Sequence, residues 1–102
     1  MADREVIETL KKYIYLLRSE GISVEKAYLY GSYLTNTATD ESDIDIMIVT
    51  ENEDDYLTGK IWSLTRKVNS KIEPYTVGKG RFNSTDTSPL IDLVKNTGLK
   101  IA

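Results

Sequence analysis

Two aspartates open an apolar run, Ser42-Asp43-Ile44-Asp45-Ile46-Met47-Ile48-Val49. Asp is depleted in strands because its short carboxylate competes with the backbone ladder and gains little from a half-buried pleated surface. Side chains two apart on a strand share a face, so Asp43 and Asp45 stand side by side while Ile44, Ile46 and Ile48 turn the other way into a core. Carboxylates held that close repel one another unless a cation lies between them, and hard divalent ions take oxygen ligands of this kind. The pair therefore points to a magnesium site; the plainer alternative is a strand margin wetted by solvent.

The segment before it supplies a second feature. Val24 to Tyr30 reads as a short strand that stops at Gly31-Ser32, and strict alternation would put Val24, Tyr28 and Tyr30 on one face. Glycine lets a backbone approach a phosphate closely, and free amides at a helix start attract an anion. A simple tight turn would use the same two residues. From Ser32 to Ser42 the chain is rich in turn and cap formers, which leaves room for at most one helical turn.

The remaining elements follow from apolar spacing. Residues 3 to 20 form an amphipathic helix on Val6, Ile7, Leu10, Ile14 and Leu17, with Asp3 as N-cap and Tyr13 and Tyr15 as flanking packing or rim residues. The acidic stretch Glu51 to Asp55 reads as solvated surface leading into a helix N-terminus. A second helix over 54 to 68 carries Leu57, Ile61, Leu64 and Val68; Gly59 weakens it and is a candidate for close packing. Residues 71 to 77 make a third strand, placed at a sheet edge because Pro74 cannot donate to a ladder. On it Glu73 is in phase with Lys71, Tyr75 and Val77, as an exposed acid or an ion-pair partner of Lys71. Residues 78 to 87 read as a flexible loop. Ser88 as N-cap and Pro89 at the first helical position open a last helix, ended by Gly98, and Leu99 to Ile101 can add a strand-like segment.

With 102 residues the chain suits one domain, residues 1 to 102, able to bury roughly two thirds of its unfolded surface. It has no cysteine and no histidine, so thiolate chemistry, disulfides and the usual zinc ligands are excluded, and catalysis must rest on carboxylates, hydroxyls, amines and a metal. A net charge of −3 argues against direct nucleic-acid binding, which needs a basic surface. No apolar run approaches the ~18 residues of a membrane span and no signal segment opens the chain, so a cytoplasmic location is expected.

Gly31-Ser32, ten intervening residues that end in Ser42, and then Asp43-Ile44-Asp45 on an apolar strand resemble the DNA polymerase beta-type nucleotidyltransferase superfamily. Within it the chain is most similar to the minimal nucleotidyltransferases encoded beside HEPN partners. The resemblance implies an α/β (α+β) nucleotidyltransferase fold, a small mixed sheet of three or more strands with helices packed on one face. It implies magnesium-dependent transfer of a nucleotide, AMP from ATP, to an acceptor hydroxyl, with a tyrosine of a HEPN-type toxin as a candidate acceptor and an antitoxin role. Asp43, Asp45 and Glu73 become the metal-binding and catalytic residues, Glu73 standing where the family usually has a third aspartate. Gly31, Ser32 and Ser42 become the nucleotide-binding residues. The partners implied are a nucleoside triphosphate and a HEPN-type protein, with homo-oligomer formation a further alternative and no membrane. Two positions depart from the pattern: Glu73 itself, and Leu34-Thr35-Asn36, where relatives commonly carry an Ala-Arg-Gly-like segment. A domain that neutralises a HEPN-type ribonuclease by binding alone, with its site vestigial, fits those departures.

Overall fold

The computed structural model describes residues 3–86 and 88–102. Helix α1, Arg4–Ser19, begins where Asp3 accepts a hydrogen bond from Glu5 N–H. Strand β1, Val24–Tyr30, leads into a single helical turn, α2, Ser32–Thr35. Strand β2, Ile44–Thr50, is followed by α3, Asp55–Ser63, which tightens into a 3-10 turn, Leu64–Lys67. Strand β3, Ile72–Gly78, runs into a short helix α4, Lys79–Phe82; helix α5, Pro89–Thr97, and strand β4, Leu99–Lys100, close the chain. The sheet order is β3-β2-β1-β4. β1 is antiparallel to β2 and β4, and β2 is parallel to β3. The sheet is therefore mixed, and β3, with its Pro74, lies at an edge as the missing amide requires.

The two sheet faces are covered unequally. On one, Ala27, Leu29, Ile44, Ile46, Ile48 and Ile72 pack against Leu10, Ile14 and Leu17 of α1 and Ile61 of α3. The Tyr13 hydroxyl, completely buried, donates to Ile61 O at 2.6 Å and ties α1 to α3. That burial raises the phenol's pKa, so it stays a donor. On the other face Met47, Val49 and Val77 meet Phe82 of α4 and Ile91 and Val94 of α5. The expectation of helices on one face thus describes α1 and α3, while the two C-terminal helices add a smaller layer opposite. Ser88 caps α5 by accepting from Ile91 N–H, and β4 pairs Leu99 with Leu29 and Lys100 with Tyr28.

Four sequence expectations change in detail. Val24 does not share a face with Tyr28 and Tyr30, because a register shift between Val24 and Lys26 inserts one extra residue and reverses the phase, as a bulge does. Val24 accordingly joins the α1 side and the tyrosines the α5 side. The second helix is shorter than 54 to 68, since Asp54 is its N-cap and its last turn tightens. Gly59 is exposed and a Cβ there would meet nothing within 4 Å, so it does not serve packing within the chain. The stretch expected as a flexible loop contains α4; Thr87 at its end lies outside the described residues.

The helical turn of α4 exists because of its one large apolar side chain. Phe82 is 3% exposed and stacks on Tyr28 with ring centroids 5.7 Å apart, with Lys95 Nζ 4.9 Å from its centroid. Glu53 secures the start of the turn, accepting from Gly78 N–H at 2.6 Å and pairing with Arg81 Nε at 3.0 Å. Phe82→Ala is expected to cost about 3 kcal/mol in chemical denaturation, with α5 undocking first in hydrogen exchange.

Candidate active site

The backbone makes the site before any side chain enters it. Tyr30, the last residue of β1, pairs with Asp45 on β2, and Asp45 pairs on its other side with Glu73 on β3. Tyr30, Asp45 and Glu73 therefore form one row across three strands, on the face opposite the α1 and α3 layer. Gly31 then turns with φ +83° and ψ −157°, a backbone state that other L-residues rarely enter. A second constraint acts at the same position: a Cβ on residue 31 would overlap Asp45 Oδ2 and sit 3.2 Å from its Cγ. The carboxylate of Asp45 thus lies across the start of α2. There Leu34 and Thr35 N–H both donate to Gly31 O, at 3.1 and 3.2 Å, and Asn36 leaves the turn with φ 61°.

Asp43 is exposed and stands just ahead of β2. Ser42 beside it closes a tight turn, its hydroxyl accepting from Thr39 N–H at 2.9 Å and its own N–H donating to Thr39 O at 3.0 Å. That turn and the bond from Ile44 N–H to Lys71 O at 2.8 Å deliver Asp43 to the row.

The three acids feel one another. Asp45, half-buried, has its pKa raised by loss of solvent and then by the charge of Asp43. Glu73 is raised first by a hydrogen bond with the Asp43 carboxyl, then by desolvation and the charges of Asp43 and Asp45. Tyr30 is pushed up to about 12 by burial, then by Asp45, Glu73 and Tyr75, which keeps its phenol a donor beside the acids. By its pattern alone Tyr30 is a strand residue, and its place immediately before Gly31 is the signal for a role at the site.

Clustered carboxylate oxygens suit a hard divalent cation. The set is open, not a finished cage: among the described residues no three acidic groups already enclose an ion position. Nor is it a cavity. Asp43 and Glu73 are exposed and Asp45 half-buried, so a ligand can reach all three from solvent.

A family model described as polymerase beta, nucleotidyltransferase matches residues 6–88. Among solved structures, a candidate nucleotidyltransferase from Sulfolobus solfataricus is similar with a TM-score of 0.57 and 19% identity, over 76% of this chain and 70% of that chain. At that identity the likeness is one of fold. No curated protein matches the chain.

The raised carboxyls set a sign for stability. A group bound to its proton more tightly in the folded state stabilises folding at low pH, and that contribution is lost as pH rises through the folded pKa. Asp45→Asn and Glu73→Gln are therefore expected to raise the melting temperature of metal-free protein at neutral pH. The gain should fade on acidification through the carboxylate range; equal gains at every pH would show that ionisation of these acids is not its source. Gly31→Ala is expected to lower the melting temperature, from strained φ and collision with Asp45 together.

Proposed function

The chain belongs to the polymerase beta nucleotidyltransferase family, and on that premise we propose that it transfers AMP from ATP to an acceptor hydroxyl in a magnesium-dependent reaction. The observation that supports this most is the meeting of Asp43, Asp45 and Glu73 beside Gly31, where the absent side chain lets an acid lie across the start of α2. Asp43, Asp45 and Glu73 would hold Mg2+, which when bound neutralises triphosphate charge and polarises the reacting phosphoryl group. Ser32 and the amides following Gly31 would hold the outer phosphates. Glu73, exposed at the sheet edge, would take the proton from the acceptor hydroxyl as its oxygen bonds to the α-phosphorus and pyrophosphate departs. Tyr30 keeps its proton and can donate to the neighbouring carboxylate or to substrate. The proposed acceptor is a tyrosine of a HEPN-type protein, and the proposed role is that of its antitoxin.

A second reading keeps the partner and drops the chemistry. Glu73 is one methylene longer than the aspartate usual in the family, and a displacement of about 1 Å can cost about a hundredfold in rate. Leu34, Thr35 and Asn36 offer no cation to the phosphates. On this reading the chain neutralises a HEPN-type ribonuclease by covering it.

Labelled ATP, Mg2+ and a HEPN-type partner separate the two. Transfer predicts label on the partner, and a loss of about a hundredfold or more in an Asp43→Asn/Asp45→Asn double variant. Absence of label, with neutralisation undiminished in that variant, would leave only the binding role.

A further inference from the structure

Where α3 tightens into the 3-10 turn, the surface holds a cleft in which an aromatic ring, a cation and hydroxyls meet. It measures about 510 Å3 and is lined by Gly59, Trp62, Ser63, Thr65, Arg66 and Ser70. That size falls in the range of small-molecule sites, which join an aromatic wall to a few polar groups. A Cβ on Gly59 would meet nothing within 4 Å, so the glycine is not needed for packing, whereas a longer side chain there would stand in the cleft. Trp62 is 45% exposed: part of the indole is held by the chain, and the rest gives the cleft a flat wall.

The polar groups divide by what their protons already do. Ser63 and Thr65 spend their hydroxyl protons within the helix, on Lys60 O and Trp62 O, each at 2.8 Å. Arg66 and Ser70 keep theirs: among the described residues the guanidinium has no ion-pair partner and the Ser70 hydroxyl no hydrogen bond. Free donors at one edge of an aromatic wall suit an anion carried on a planar ring. Asp55, which would repel it, lies in the first turn of α3, at the far end from Arg66. Trp62 and Arg66 are four residues apart, roughly 6–8 Å along the axis. In a nucleoside monophosphate the sugar sets a comparable span between the flat base and its phosphate.

We infer that this cleft binds a nucleoside monophosphate, its base stacked on the Trp62 indole and its phosphate held by the Arg66 guanidinium and the Ser70 hydroxyl. Stacking accepts any base, because every base has a π-face, and the planar guanidinium matches two phosphate oxygens at once. The phosphate therefore sets the preference more than the base does. Because α3 covers the sheet face opposite Asp45 and Glu73, the cleft and the candidate active site can be occupied together. The inference stands independently of nucleotide transfer.

Trp62 is the chain's one tryptophan, so its emission, excited at the red edge where neither tyrosine nor nucleotide absorbs, reports the cleft directly. With a metal chelator present, AMP is expected to quench it saturably, adenosine to bind about tenfold more weakly, and inorganic phosphate to leave it unchanged. Arg66→Gln should bring AMP down to the level of adenosine. Gly59→Leu should block both ligands while raising the melting temperature, since Leu is the better helix former; lost binding in a more stable protein separates a filled cleft from a damaged fold. Asp43→Asn/Asp45→Asn should leave the titration as it is. The absence of saturable quenching up to about 10 mM AMP overturns the inference. So does AMP binding that Arg66→Gln does not weaken, or a response that disappears in the double aspartate variant, which would put the nucleotide at the acids instead.

Discussion

The carboxylate of Asp45 occupies the space that a side chain on residue 31 would need, and much of the molecule's arrangement serves that contact. It requires β1 to end at Tyr30 opposite Asp45, a glycine able to take φ +83°, and a chain that turns at once into α2. Parallel pairing with β3 then places Glu73 on the other side of Asp45. A shift of one residue in either register would send the acid into the isoleucine core and an isoleucine to the surface. The apolar alternation of β2 thus enforces the geometry of the site as well as the fold.

Unequal coverage of the sheet gives that geometry its setting. Beneath it, α1 and α3 make a closed layer bridged by the buried Tyr13 hydroxyl, so the strands are held rigidly from one side. Above it, α4 and α5 cover Met47, Val49 and Val77 but leave the row of Tyr30, Asp45 and Glu73 half-buried or exposed. Half-burial is the condition under which like charges matter most: water no longer screens them fully, yet a ligand can still reach them. The raised pKa values of Asp45 and Glu73 record an electrostatic cost that the apolar layer below sustains and a bound cation would relieve.

The outer surface of α3 has a different logic. A Cβ at Gly59 would meet nothing within 4 Å, so the glycine that weakens this helix is not required by packing within the chain. Tyr56 and Trp62, three residues to either side of it, remain exposed. Among the described residues no helix is long and apolar enough to cross a membrane.

Much of this was legible in the residues alone. Element types came through wherever spacing was long and regular, as in α1 and α5, and the acids at 43 and 45 with Gly31-Ser32 marked the family because their chemistry is unusual for a strand. Local pattern could not reveal the bulge that moves Val24 to the other face, since a single extra residue leaves alternation nearly intact on both sides of it. Nor could it reveal α4, where one phenylalanine in a polar stretch has no period and acquires a helical turn only by stacking on Tyr28. The sequence by itself determined which side chains could bear charge, cap a helix or enter a core, because those are properties of residues and near neighbours. Only the tertiary structure decided that Asp45, Glu73 and Tyr30 share one row with Asp43 just ahead of it, because strand order and register are set by the packing of the whole sheet.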